Sequence, residues 1–109
     1  MASFFRNKVI NELGTSQVTA LQTAANNRMT LIGMSFANLT GSIVLVDVIV
    51  QDDTSTQGHY CHQMMVPANS SLRLINGGEK LILSSSMTIY VEASQDNSLD
   101  MIVSYVTIT

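Results

Sequence analysis

Both histidines of the chain and its single cysteine fall within four consecutive positions, in Gly58-His59-Tyr60-Cys61-His62. Imidazole and thiolate are ligands for zinc, and a thiolate beside an imidazole can also serve as a nucleophile. Whether they act together depends on the backbone that carries them. The stretch from 59 to 66 reads as a β-strand, in which successive side chains point to opposite faces. His59 and Cys61 are therefore expected on one face, with Tyr60 and His62 on the other. His59 and Cys61 are weak candidates for a pair of metal ligands, because zinc takes three or four protein groups. The remainder would have to come from a distant carboxylate or a neighbouring subunit. No oxyanion donor or orienting group is identifiable for a Cys-His nucleophile. The plainer expectation is that Cys61 fills core space and that no catalytic group and no cofactor is present. Tyr60 and His62, together with Met64 and Met65, are then expected at an interface, since methionine adapts readily to partner surfaces.

The remaining titratable groups are sparse. The carboxylates are Glu12, Asp47, Asp52, Asp53, Glu79, Glu92, Asp96 and Asp100, most of them in or beside turns. Asp52-Asp53 with Thr54 and Ser55 offers oxygen ligands suited to Ca²⁺ but lacks the spacing of a dedicated loop, so a solvated turn is expected. Asp47 interrupts an apolar strand face, which suggests a polar group satisfied at a subunit contact or in a cross-strand pair with a basic residue. Asn76-Gly77-Gly78-Glu79-Lys80 lacks the glycine spacing and the following helix of a phosphate loop. It reads as a sharp reversal between strands.

The elements that would position these groups are short apolar runs separated by Gly, Asn, Ser, Asp and Thr. Strands are expected over about 4–11, 17–23, 28–37, 42–51, 59–66, 71–75, 80–83, 87–93 and 100–108. Val44, Val46, Val48 and Val50 place four β-branched side chains on one face. Ile43, Leu45 and Ile49 join Asp47 on the other, so this strand is expected to be central and covered on both sides. Ile32, Met34 and Phe36 repeat the pattern opposite Gly33, Ser35 and Ala37. Ile102, Val106 and Ile108 oppose Met101, Val103 and Tyr105. Asn38-Leu39-Thr40-Gly41 reads as a hairpin loop with Gly41 at positive φ, and 93–98 as the last hairpin loop. The single proline, Pro67, belongs in a turn. Eight or nine short strands at this spacing predict an all-β fold, an antiparallel, jelly-roll-like β-sandwich. It spans residues 1–109 as one domain.

Composition narrows the function. Apolar residues make up 46% of the 109 residues and charged residues 12%, about half the usual ~25%. So apolar a chain is expected to hide surface against partners. Five scattered Lys and Arg and a net charge of −3 do not make the clustered basic face that nucleic acid requires. No apolar run approaches the ~18 residues of a membrane span, and the opening MASFFRNKVINELG lacks the apolar core of a signal peptide. A soluble protein made in a reducing compartment is expected, with no membrane partner. Phe4 and Phe5 precede the main strand pattern, and residues 1–8 are a candidate docking arm.

The order of these pieces resembles small virion proteins of tailed bacteriophages, especially the contractile-tailed cyanophage type. The likeness runs from FFRNKVI through RMTLIGMSFANLTGSIVLVDVIVQD and VPANSSLRLINGGEKLIL to SLDMIVSYVTIT, and so spans nearly the whole chain. It implies a non-enzymatic virion structural subunit, assembled in the host cytoplasm. Its partners would be further copies of itself and other capsid or neck and tail proteins. A capsid-decorating or head-to-tail accessory subunit is the expected role. A tail, baseplate or fibre-associated position and a receptor- or carbohydrate-binding sandwich are the alternatives.

Overall fold

The structure, a computed structural model, describes residues 3–75 and 80–109. Its regular structure is all β. In chain order the strands are β1 (Ser3–Leu13), β2 (Val18–Gln22), β3 (Arg28–Asn38), β4 (Val44–Gln51) and β5 (Gln57–Val66). β6 (Ser71–Ile75), β7 (Leu81–Leu83), β8 (Thr88–Ala93) and β9 (Leu99–Ile108) complete the set. They form two antiparallel sheets. One is five-stranded, with order β1-β9-β3-β6 and β7 also on β3, and the other is four-stranded, with order β2-β8-β4-β5.

The pairing follows a simple rule. The first strand pairs with the last, the second with the last but one, β3 with β6 and β7, and β4 with β5. A chain that pairs its two halves in this nested way and wraps them into two layers is a jelly roll. The expected sandwich is present, and its strands fall within a few residues of the positions that apolar alternation marks.

The core lies between the inner faces. Val44, Val46 and Val48 of β4 and Ile89 and Val91 of β8 meet Leu31, Met34 and Phe36 of β3 and Met101 and Val103 of β9 in one buried cluster. Alternation is what permits this, because each strand gives every second side chain to the same layer. β4 is central in its sheet, as expected; on its other face Leu45 and Asp47 are half-buried and Ile49 is buried. Ile32 departs from its expected row with Met34 and Phe36. A bulge between Leu31 and Gly33 shifts the register, so Leu31 takes the buried place and Ile32 is half-buried.

Two turns differ from the sequence-based expectation. Loop 39–43 is not a hairpin, because β3 and β4 belong to different sheets. Asn38, not Gly41, holds this crossing. Its side-chain amide donates to the carbonyls of Ser42 (2.8 Å) and Val66 (3.0 Å), and its Oδ1 accepts from the Thr40 N–H (2.9 Å) and hydroxyl (2.8 Å). Gly41 does not adopt a left-handed φ. Segment 94–98 likewise crosses between sheets, from β8 to β9. β6 and β7 are both antiparallel to β3. The expected turn at 76–79 lies outside the described residues.

Candidate functional site

The His-Cys segment forms β5, an edge strand of the four-stranded sheet paired with β4. Strict alternation fails here. Val46 opposes Met64, Val48 opposes Cys61 and Ile49 opposes His59, with register shifts on either side of Val48. Each shift leaves an extra residue on β5, which is a β-bulge. The backbone shows it at Gln63, whose φ is 50°, a left-handed value uncommon for a residue with a side chain.

The bulges rearrange the cluster. Cys61 turns into the core, with its Sγ 3.7 Å from the Val46 carbonyl oxygen. Burial pushes its thiol pKa up, and the nearby Asp47 charge adds to the effect. A thiol held protonated in this way is a poor nucleophile and a poor metal ligand. His59 and His62 instead share the outer face, their rings 4.8 Å apart between centroids and inclined at 73°. The expected pairing of His59 with Cys61 on one face is therefore replaced by His59 with His62, because one extra residue falls between His59 and Cys61 and breaks the period of two there.

Asp47 of β4 completes the group. Its Oδ1 lies 3.1 Å from His62 Nδ1, and the carboxylate is 19% exposed against 62% for the imidazole. The Gln63 N–H also donates to Asp47 Oδ1. The cross-strand partner expected for Asp47 is thus a histidine and a bulged backbone amide, rather than a lysine or arginine. Directly across the sheet on β8, Asp47 faces Glu92. A shallow groove of about 320 Å³ lined by Thr15, Leu45, Asp47, Gln63, Glu92 and Ser94 runs between them. None of the strands of this sheet carries a lysine or arginine.

The Asp52 loop is a closed turn. Asp52 Oδ1 accepts from the Thr54 N–H (2.9 Å), the Thr54 hydroxyl (2.7 Å) and the Thr56 N–H (3.0 Å). Those bonds, the Thr54 hydroxyl first, hold its carboxyl below the usual range. The oxygen that a Ca²⁺ ion would use is already engaged with the loop's own donors.

The outer face of the five-stranded sheet has a different character. Cross-strand register places Phe5, Val106, Thr30 and Ile82 in one row and Val9, Ile102, Ser35 and Arg73 in another, with Asn7, Ser104 and Gly33 in the row between. Phe5 is 80% exposed, Ile82 66% and Val9 61%. Ile32 sits in a depression beside Phe5, Asn7 and Ser104. Phe4 points the other way along β1, its ring 5.4 Å from the Arg6 guanidinium, a cation–π distance. Over residues 3–8 the expected N-terminal arm is a strand paired with the chain's own β9. Of the other residues expected at an interface, Tyr60 and Met64 pack partly against the core and Met65 is exposed. Val9, Ile82 and Ile102 were not singled out by sequence. For Ile102 the signal is alternation with the buried Met101 and Val103, whereas Val9 lies on a stretch of β1 exposed on both sides and carries no such signal.

No family model, curated protein or solved structure matches the chain.

Proposed function

We propose that the protein is a non-enzymatic structural subunit of a tailed-phage virion. It assembles in multiple copies as a capsid-decorating or head-to-tail accessory subunit. The observation that carries this reading is β1. It is the outermost strand of the five-stranded sheet, and Ser3–Ile10 form eight consecutive pairs with β9 without a bulge. A long, regular edge presents unpaired backbone donors and acceptors, which invite another strand.

The other edges are blunted. β2 and β6 have five residues each and β7 three, while β5 is broken by its two bulges. Over Ser3–Ile10 β1 is neither short nor bulged, its register shift falling beyond, between Ile10 and Leu13, and its exposed Phe5 and Val9 add apolar side chains to the outer face of the sheet. The occupant proposed for this edge and face is a second copy of the chain. Two β1 strands meeting antiparallel about a two-fold axis present the same residues to each other, as an isologous contact requires. The resemblance of the sequence to small phage virion proteins supplies the setting.

Sedimentation velocity on the purified chain tests the reading. The parent should self-associate. Phe5→Ser with Val9→Ser should weaken association by at least about tenfold without lowering the thermal midpoint. A chain that stays monomeric at every concentration and is absent from purified particles would sink the proposal. Immunogold labelling of particles then separates a head position from a tail or baseplate one.

A further inference from the structure

Asp47, His59 and His62 each offer a ligand atom, and the three atoms lie within 4.8 Å of one another. We infer that they form a binding site for a divalent transition-metal ion of the zinc type, on the outer face of the four-stranded sheet. This inference stands on its own geometry and does not depend on the virion reading.

The donor set selects the metal. Two imidazoles and one carboxylate suit Zn²⁺, Cu²⁺, Ni²⁺ or Co²⁺, whereas Ca²⁺ and Mg²⁺ prefer all-oxygen sites. With metal–ligand bonds of about 2.0–2.2 Å, ligand atoms on a tetrahedral ion sit roughly 3.3 Å apart. The 3.1 Å between His62 Nδ1 and Asp47 Oδ1 is already close to that separation. An ion bound there replaces the proton of this contact, and the neutral imidazole keeps its proton on Nε2. His59 is exposed on the strand surface and can close the remaining distance by rotating its side chain.

Two further features prepare the site. The Gln63 N–H holds Asp47 Oδ1 in place, the kind of outer contact that orients a ligating carboxylate. The bulge between Cys61 and Met64 creates this contact, and the one between His59 and Cys61 brings both histidines to one face. The surrounding charge favours a cation as well, since Glu92 stands directly opposite Asp47 and the strands of this sheet carry no lysine or arginine. Three protein ligands leave a fourth tetrahedral position open toward solvent, available to water or to a donor from a neighbouring molecule.

Calorimetric titration of the full chain with ZnCl₂ tests the site, with circular dichroism confirming that each variant is folded. One equivalent should bind saturably. Asp47→Asn keeps an acceptor for the Gln63 N–H, and His59→Ala and His62→Ala alter exposed side chains, so each should fold. Each should weaken binding by more than about tenfold, since even loss of an outer-shell partner costs that much. Cys61→Ser should bind as the parent does, and the Co²⁺ form should lack a thiolate charge-transfer band. Absence of saturable binding, binding that any of the three ligand substitutions leaves unchanged, or binding lost in Cys61→Ser would overturn the inference.

Discussion

The two outer faces of the sandwich rest on one core, yet they are built for different neighbours. The five-stranded face exposes Phe5, Val9, Ile82 and Ile102, its strands carry Arg6, Lys8, Arg28 and Arg73, and it ends at β1 in an edge that is regular over Ser3–Ile10. The four-stranded face carries Asp47, Glu92 and both histidines, has no lysine or arginine, and ends in a bulged edge at β5. The same alternation underlies both. What separates them is regularity at one edge strand of each: the unbroken Ser3–Ile10 stretch of β1 leaves its outer side open to strand pairing, whereas the bulges of β5 disrupt that edge and bring together side chains that alternation would keep apart.

The contrast holds only if the faces are surface variations on a single cooperative core, and the largest expected effect tests that. Phe36 lies on β3 of the five-stranded sheet and is fully buried. Phe36→Ala should cost about 3–5 kcal/mol. Hydrogen exchange should show protection falling together in β3 and β4, although they lie in opposite sheets. Loss confined to the five-stranded sheet would break the comparison, because the two faces would then belong to separately stable layers.

A middle-sized effect is expected where the sheets are tied. The buried Asn38 amide spans from the end of β3 to the Val66 carbonyl at the end of β5, joining one sheet to the other. Asn38→Ala leaves the Val66 and Ser42 carbonyls without that donor and should cost about 1–3 kcal/mol, read as a shift in the urea midpoint. A cost near zero would mean that the crossing is held by its backbone alone.

Legibility followed the same division. Strand positions and the inward rows of β4 and β9 could be read because the core imposes a period of two on Val44, Val46 and Val48 and on Met101 and Val103. The sheet to which each strand belongs could not, so the loops after Asn38 and Ala93 looked like hairpins when they are crossings. The Asp47 cluster was hidden for a further reason. A bulge is a local backbone choice, and the residues that adopt it, Gln63 among them, carry no glycine or proline to announce it. The three ligand candidates are visible as residue types in the sequence, but their meeting is a product of register.

The smallest expected effect concerns acid, and it separates a contact that joins the sheets from one confined to a single sheet. Asp96, in the loop between β8 and β9, accepts from the Thr15 N–H at 2.9 Å and the Thr15 hydroxyl at 3.1 Å, in the loop between β1 and β2. Both loops cross from one sheet to the other at the same end. Gly14 passes so close that a Cβ there would come within 2.7 Å of Asp96 Oδ1. The Thr15 bonds, the N–H first, hold the Asp96 carboxyl below its ordinary pKa, as the Thr54 and Thr56 donors hold Asp52 within the β4–β5 hairpin. A carboxyl with a lowered folded-state pKa adds stability above the unfolded value of about 3.9. That stability is lost as pH falls through the folded value. Asp96→Asn and Asp52→Asn should therefore lower the urea midpoint at neutral pH, by less than Asn38→Ala, and match the parent once both carboxyls are protonated. Asp96→Asn should be the larger of the two, because its bonds join both sheets and those of Asp52 close one turn. A deficit that persists in acid would assign the effect to shape rather than charge, and equal effects would mean that the crossing gains nothing from its position between the sheets.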